Sequence, residues 1–303
     1  MSVMSANPAL LLTDRAAAAS SALPPLLVEA ERIAATVIQG IHGRKRAGPG
    51  ESFWQYRAYG FGDSTSRIDW RKSARSSHVF IRENEWEAAN TLWLWASPSP
   101  SMDFKSHLSK TTKRDRAYLM TLALAALSLR AHERVGLMGS PHRAGHARGA
   151  LIPMANWLLQ SEGAGLPVTP PLQKFSTVVL LSDFYDPPED IASATRALAA
   201  QGISGHIVQI TDPAEETLPY TGRVEFRDMR GPLKFLAGKT ETLREAYIEK
   251  FKAQREAVRS LAHRMQWSFT VHHTDQSPAM LLMKLHGLIA GAKSRMLDFG
   301  APA

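Results

Sequence analysis

Beyond Glu87 the chain alternates strand-length apolar runs with amphipathic helical segments, which predicts a doubly wound α/β domain built on a mostly parallel sheet. Two observations carry this. Thr91–Ala96 is a continuous apolar run, and Thr177–Leu181 and Ser204–Ile210 have the same buried-strand texture, as strands covered on both faces do. Between them lie segments whose apolar residues recur at three-four spacing, the mark of helices laid on such a sheet.

The elements follow in chain order. Residues 1–23 are rich in Ala and Ser and read as a disordered tail. The cluster Ala9–Leu12 is too short for a signal-peptide core and is followed by Asp14 and Arg15. After Pro24 and Pro25, the spacing of Leu27, Ala30, Ile33, Ala34, Val37, Ile38 and Ile41 predicts one helix. From Ile41 to Arg82 the chain turns to Gly, aromatic and charged residues, with extended pieces at Phe53–Tyr59 and His78–Glu83. We therefore expect an N-terminal helix and irregular basic collar over 24–90 and the α/β domain over 91–300. In the latter, helices are predicted at Arg114–His132, Leu151–Gln160, Pro188–Ala200, Thr240–Gln266 and Ala279–Ala290. Further strands are predicted at Arg134–Gly139 and Ser268–His273, with Val224–Asp228 as an edge piece. Met280, Leu282 and Met283, at helical spacing, read as core.

Composition narrows the function classes. The 303 residues contain no Cys, which excludes disulfides, thiolate metal sites and cysteine nucleophiles. No apolar stretch reaches the roughly 20 residues of a membrane span, since Ala117–Leu129 is bounded by Arg116 and Arg130. A cytoplasmic location is expected. Of a net charge of +8, six charges fall between Ile41 and Arg82, where nine Lys or Arg face three Asp or Glu. An acidic partner suits such a segment, and its interleaved aromatics keep nucleic acid open as an alternative.

In doubly wound sheets ligands bind beyond the carboxyl ends of the strands. After the first strand comes Ser97-Pro98-Ser99-Pro100-Ser101-Met102, and after Thr177–Leu181 comes Ser182-Asp183. Two hydroxyls one residue apart, facing a carboxylate from another strand end, make an oxygen-rich pocket of the kind that suits magnesium. The plainer reading is a Ser/Pro turn, with Asp183 capping the next helix.

The sheet pattern with SPSPSM and LLSDF resembles a von Willebrand factor A-type domain. More specific is FWQYRAYGFGDSTSRIDWRKSAR, Phe53 to Arg75, followed by VFIRENE. Its Arg57, Gly62-Asp63, Arg67-Ile68-Asp69-Trp70 and Ala74-Arg75 are similar to the hallmark of the bacterial domain of unknown function 58 family. The resemblance implies a von Willebrand factor A-like fold, a metal-ion-dependent adhesion site at Ser99, Ser101 and Asp183, and work beside a MoxR-type AAA+ ATPase on a client complex. One departure matters, because the family loop opens with Asp where this chain has Ser97. Losing that carboxylate leaves one acid where a hard dication wants two, with Asp103 and Asp186 near enough in sequence to substitute. We expect a degenerate site that serves as a metal-independent docking surface, with Mg2+ as the ion it would otherwise take.

In the collar, Arg57, Arg67 and Arg75 accompany Asp63 and Asp69 among aromatics, a composition for buried Arg-carboxylate forks. The surplus cations Arg44, Lys45, Arg46, Arg71 and Lys72 are the candidate partner-binding residues. Enzyme signatures fail. Gly62-Asp63-Ser64 follows no apolar strand, Gly238-Lys239-Thr240 has Leu233 where a phosphate loop needs Gly, and His272 and His273 lack a ligand partner at useful spacing. A non-catalytic interaction adaptor is the expectation, and a hydrolase using Ser99, Ser101 and Asp183 the alternative.

Overall fold

The computed structural model describes residues 25–38, 53–60, 65, 68–84, 91–163, 165–168, 170–174, 176–229 and 231–298. They form two compact units, one joining the N-terminal helix to everything from residue 90 onward, the other spanning 43–89. The predicted tail over 1–23 lies outside the described residues.

In the larger unit, helix α1 (residues 25–38) precedes a central sheet of β3 (Thr91–Ala96), β4 (Arg134–Leu137), β5 (Thr177–Ser182), β6 (Ser204–Thr211) and β9 (Ser268–His273). The smaller unit carries β1 (Phe53–Ala58), α2 (Trp70–Ser73) and β2 (Phe80–Asn84). The central strands run in the order β4-β3-β5-β6-β9 and all neighbours pair in parallel. The chain steps from β3 to one side and then returns to the other, so the strand order reverses between β3 and β5. A crevice opens beyond the carboxyl ends of those two strands, where the sequence places Ser97 and Asp183.

Alternation along the strands divides the core. Leu92, Leu94, Val179, Leu181, Val208 and Ile210 face α1, α3 (Lys113–Arg130), α4 (Leu151–Gln160) and α8 (Pro278–Asp298). Val178, Leu180 and Ile207 face α5 (Pro188–Ala199) and α7 (Glu241–Arg264) on the opposite layer. Helix α3 is buried nearly all round, which explains its unbroken run from Ala117 to Leu129. Helix α1 buries Ala30, Ile33, Ala34 and Val37 in the first layer, so it belongs with the α/β core and not with the collar with which the sequence reading grouped it.

Two details depart from expectation. Val224–Asp228 is no edge of the central sheet. Instead β7 (Val224–Arg227) pairs antiparallel with β8 (Lys234–Ala237), which periodicity had not revealed, in a separate two-stranded sheet beyond α6 (Pro213–Thr217). Met280 is 70% exposed while Leu282 is buried, so only part of that stripe is core. His272 is buried in β9, whereas its neighbour His273 reaches Glu216 at 2.9 Å.

Close packing across the second layer gives a stability prediction. A methyl group at Gly205 would stand 2.1 Å from the ring of buried Trp267, whose indole nitrogen donates to the Ile203 carbonyl at 3.0 Å. Gly205→Ala is expected to lower the unfolding free energy by about 1–3 kcal/mol or more, the cost of overpacking, read as a reduced urea midpoint at unchanged slope.

The smaller unit is an antiparallel pair of β1 and β2, followed in register from Ala58↔Phe80 to Phe53↔Asn84 with one irregularity between Phe53 and Gln55. Asp69 Oδ1 accepts the Lys72 backbone N–H at 2.9 Å and so caps α2. That is a local duty the predicted arginine fork had not foreseen. The Asp69 N–H bonds the Phe80 carbonyl at 2.9 Å, tying the motif to β2.

Candidate functional site

The site is assembled by two loops and two helix ends. The loop after β3 holds Ser97, Ser99 and Ser101, the turn after β5 holds Asp183, and α6, which follows β6, holds Glu215. Ser97 Oγ accepts the Ser99 N–H at 3.3 Å, and the Ser99 and Ser101 hydroxyls bond each other at 2.9 Å. The chain leaves β5 through Phe184 at φ +55°, a left-handed conformation uncommon outside glycine and typical of functional turns.

What unites these loops is a residue the sequence reading left aside. Lys113, the first residue of α3, has no solvent exposure, and its Nζ lies 3.0 Å from Asp183 Oδ2 and 2.5 Å from Glu215 Oε1. The ammonium also sits 4.5 Å from the centroid of the Tyr185 ring, a cation-π contact. Next to it, Arg114 donates to the carbonyls of Pro98 and Ser99 at 3.2 and 3.1 Å and pairs with Asp103 at 2.6 Å. The first turn of α3 thus clasps the loops following β3 and β5 together with α6.

Glu215 is positioned by its own helix end. Asp212 Oδ1 accepts the Ala214 N–H, and Glu215 Oε2 accepts the Asp212 N–H at 2.8 Å, a capping box that leaves Oε1 for the lysine. Asp212 also receives the Ser106 N–H at 2.9 Å and hydroxyl at 2.5 Å, which pins the loop before α3 to the end of β6. Burial holds the Glu215 carboxyl above its ordinary range against the opposing pull of Lys113. The same desolvation, reinforced by the charge on Glu215, raises the Tyr185 phenol well above its usual value.

Among the predicted site residues, Ser99 and Asp183 are buried, and Ser101 alone reaches the cleft. This cleft of about 320 Å³ is bounded by Ser101, Lys113, Tyr185 and Glu215 and, from the β7/β8 hairpin, by Arg227 and Asp228. A partner cannot touch Asp183 or Ser99 directly, so any docking here falls to the surfaces these residues hold in place. The exposed residues of the loop between β3 and α3 are Pro100, Asp103, Lys105, His107, Leu108 and Lys110.

The site does not fit a divalent cation. Ser97 supplies no carboxylate, Asp183 is engaged by an ammonium, and Asp103 is paired with Arg114. Among the described residues no cluster of three His, Cys, Asp or Glu is arranged to hold a metal. Lys113 Nζ is engaged by both carboxylates, and His107 is exposed on the loop before α3.

The collar candidates divide. Ile68 and Asp69 are half-buried, while Trp70, Arg71, Lys72, Ala74 and Arg75 are exposed on or beside α2, with Trp70 at 66%. Arg44, Lys45, Arg46, Gly62, Asp63, Arg67 and the side chain of Arg57 lie outside the described residues.

Comparison with known proteins gives a family-model match over residues 55–257 to "Protein of unknown function DUF58". The uncharacterized proteins Rv1480 of Mycobacterium tuberculosis and Mb1516 of Mycobacterium bovis are each 25% identical over 209 residues, covering 63% of this chain. The chain spans 65% of the length of those relatives. Among solved structures, conserved hypothetical protein BatB of Bacteroides thetaiotaomicron superposes with a TM-score of 0.38 at 12% identity, over 67% of this chain and 99% of that one. An aerotolerance-related membrane protein of Bacteroides fragilis gives the same TM-score at 10% identity, with the same coverage of each chain.

Proposed function

Since the chain belongs to the DUF58 family, we propose that it is a non-catalytic interaction adaptor of von Willebrand factor A type that serves a MoxR-type AAA+ ATPase in the assembly or maturation of a client complex. The observation that carries this reading is the buried Lys113–Asp183–Glu215 cluster at the strand-order reversal. A doubly wound sheet places its ligand site there, and here that position is spent on holding loops together. The loops so held present a surface to a partner.

One docking surface is the exposed part of the loop between β3 and α3, with Lys105 and Lys110, and the basic segment of the smaller unit is a second contact taken by itself. Both are cationic, so the contact is expected to be with acidic surface and to weaken with salt. No helix among the described residues is long and apolar enough to cross a membrane. We place the adaptor in the cytoplasm, where such an ATPase would meet it.

Affinity purification of the tagged chain from its own host, with the MoxR-type ATPase quantified by mass spectrometry, tests this. Recovery is expected with the wild type and to fall at least about tenfold, or 1.4 kcal/mol, in Lys105→Glu/Lys110→Glu and in Arg44→Glu/Lys45→Glu/Arg46→Glu. Equal recovery with all three would remove the docking surface, and no recovery with the wild type would remove the adaptor reading.

A further inference from the structure

We infer that the Lys113 ammonium is the resident cation of the strand-end site, and that residues 97 and 113 together decide whether these loops are closed by an ammonium or by a divalent metal ion. The inference deepens the docking reading above, because it concerns how the docking loops are held.

The geometry is that of a cation joining strand ends. Asp183, just beyond β5, and Glu215, in the helix after β6, converge on one Nζ at 3.0 and 2.5 Å, with Lys113 and Asp183 fully buried and Glu215 at the edge of the cleft. An ammonium has three donors and no acceptor, so a surrounding of carboxylates and ring faces suits it. The lysine also stands where helix physics disfavours it. The first turn of α3 carries the positive end of the helix dipole, and a cation there is destabilising unless acids compensate. Asp183 and Glu215 supply that compensation.

Formal charge explains why Ser97 and Lys113 belong together. Two carboxylates and one ammonium leave a single negative charge in the buried cluster. A carboxylate at position 97, which is buried and whose N–H bonds the carbonyl of Leu181 two residues before Asp183, would bring a second negative charge beside this cluster, a costly burial. Exchanging both residues, with an acid entering at 97 and the ammonium leaving at 113, lowers the cluster by two formal charges, which one dication restores. Serine at 97 is therefore the companion of lysine at 113, because either pairing leaves the cluster with the same net charge.

The test uses the full chain with Mn2+ and Mg2+ alone as probes. For the wild type, isothermal titration is expected to show no Asp183-dependent heat, and the melting temperature is expected to ignore either ion. Ser97→Asp/Lys113→Ala is expected to melt low in chelator, to regain several degrees with Mn2+, and to bind Mn2+ at least about tenfold more tightly than the wild type does. A double variant that folds only when Mn2+ is present supports the inference equally. Metal binding by the wild type that Asp183→Asn abolishes would overturn it. So would a double variant indifferent to Mn2+, or one that fails to fold with the ion and without it. None of these readouts involves the ATPase, so failure of the adaptor reading leaves them standing.

Discussion

Lys113→Met is expected to cost about 3–5 kcal/mol of unfolding free energy, the penalty for leaving the partner charges of a buried ion pair uncompensated. Methionine keeps most of the volume, so little of the loss comes from a cavity, and the cause is electrostatic. Asp183, fully buried, and Glu215, nearly so, would lose the ammonium that pairs them, and the loops after β3 and β5 would lose their shared anchor in α3. For a domain of this size that loss lowers the melting temperature by roughly 10 °C, at about 2–4 °C per kcal/mol. The triple variant Lys113→Met/Asp183→Asn/Glu215→Gln removes the charges along with the cation and is expected to recover most of the stability, as neutral replacements of buried ion networks do. Urea denaturation of both variants at neutral pH checks this. A triple variant as unstable as the single would show that the lysine acts through packing.

Acid is expected to unfold the chain earlier than its carboxylates alone would dictate. Burial lowers His206 in β6 to about 4 and His272 in β9 to about 3, from an ordinary value near 6.5. His206 Nδ1 is 2.7 Å from the Ser268 hydroxyl, while Nε2 of both rings is buried without a partner, so the fold holds both imidazoles neutral. As pH falls below about 6.5, the unfolded chain takes up protons that the native rings refuse. Stability is thus full above that value and is lost progressively toward pH 4, at up to about 1.4 kcal/mol per pH unit for each histidine. Glu215 acts in the opposite sense. With its native pKa raised by burial, the native state binds its proton more readily than the unfolded chain does, and that contribution fades as pH rises above its ordinary value of 4.5. Unfolded carboxylates titrate mostly below pH 5, so between pH 6.5 and 5 the histidines govern the slope. Melting curves across that range are expected to fall steeply for the wild type and to flatten in His206→Gln/His272→Gln. A slope unchanged by that pair would place the acid sensitivity elsewhere.

The two expectations differ in how far the sequence could have shown them. His206 and His272 lie on strands that periodicity located, and their burial follows from lying inside a sheet covered on both faces. Lys113 was not legible in the same way. In the segment Lys105 to Arg116 it is one of several cations preceding a helix, and the apolar pattern starts the helix one residue later, at Arg114. Its partners are 70 and 102 residues away, and no local pattern encodes that meeting. One faint signal existed, a lysine at the positive end of a long helix, which needs compensation. Glu215 escaped for the opposite reason, because a Glu three residues after Asp212 reads fully as a capping box.

The sequence by itself determined the layered α/β class, its parallel strands, and the placing of Ser97, Ser99, Ser101 and Asp183 just beyond strand ends. Each of these depends on short-range periodicity or on a motif contiguous in the chain. Tertiary structure alone decided that Ser99 and Asp183 are buried, that Arg114 takes Asp103, that α1 belongs to the α/β core, and that a lysine closes the site. These depend on which loops the sheet order brings together. A charge in solvent and a charge in a buried cluster look alike in the chain, and they differ only through the water that folding removes.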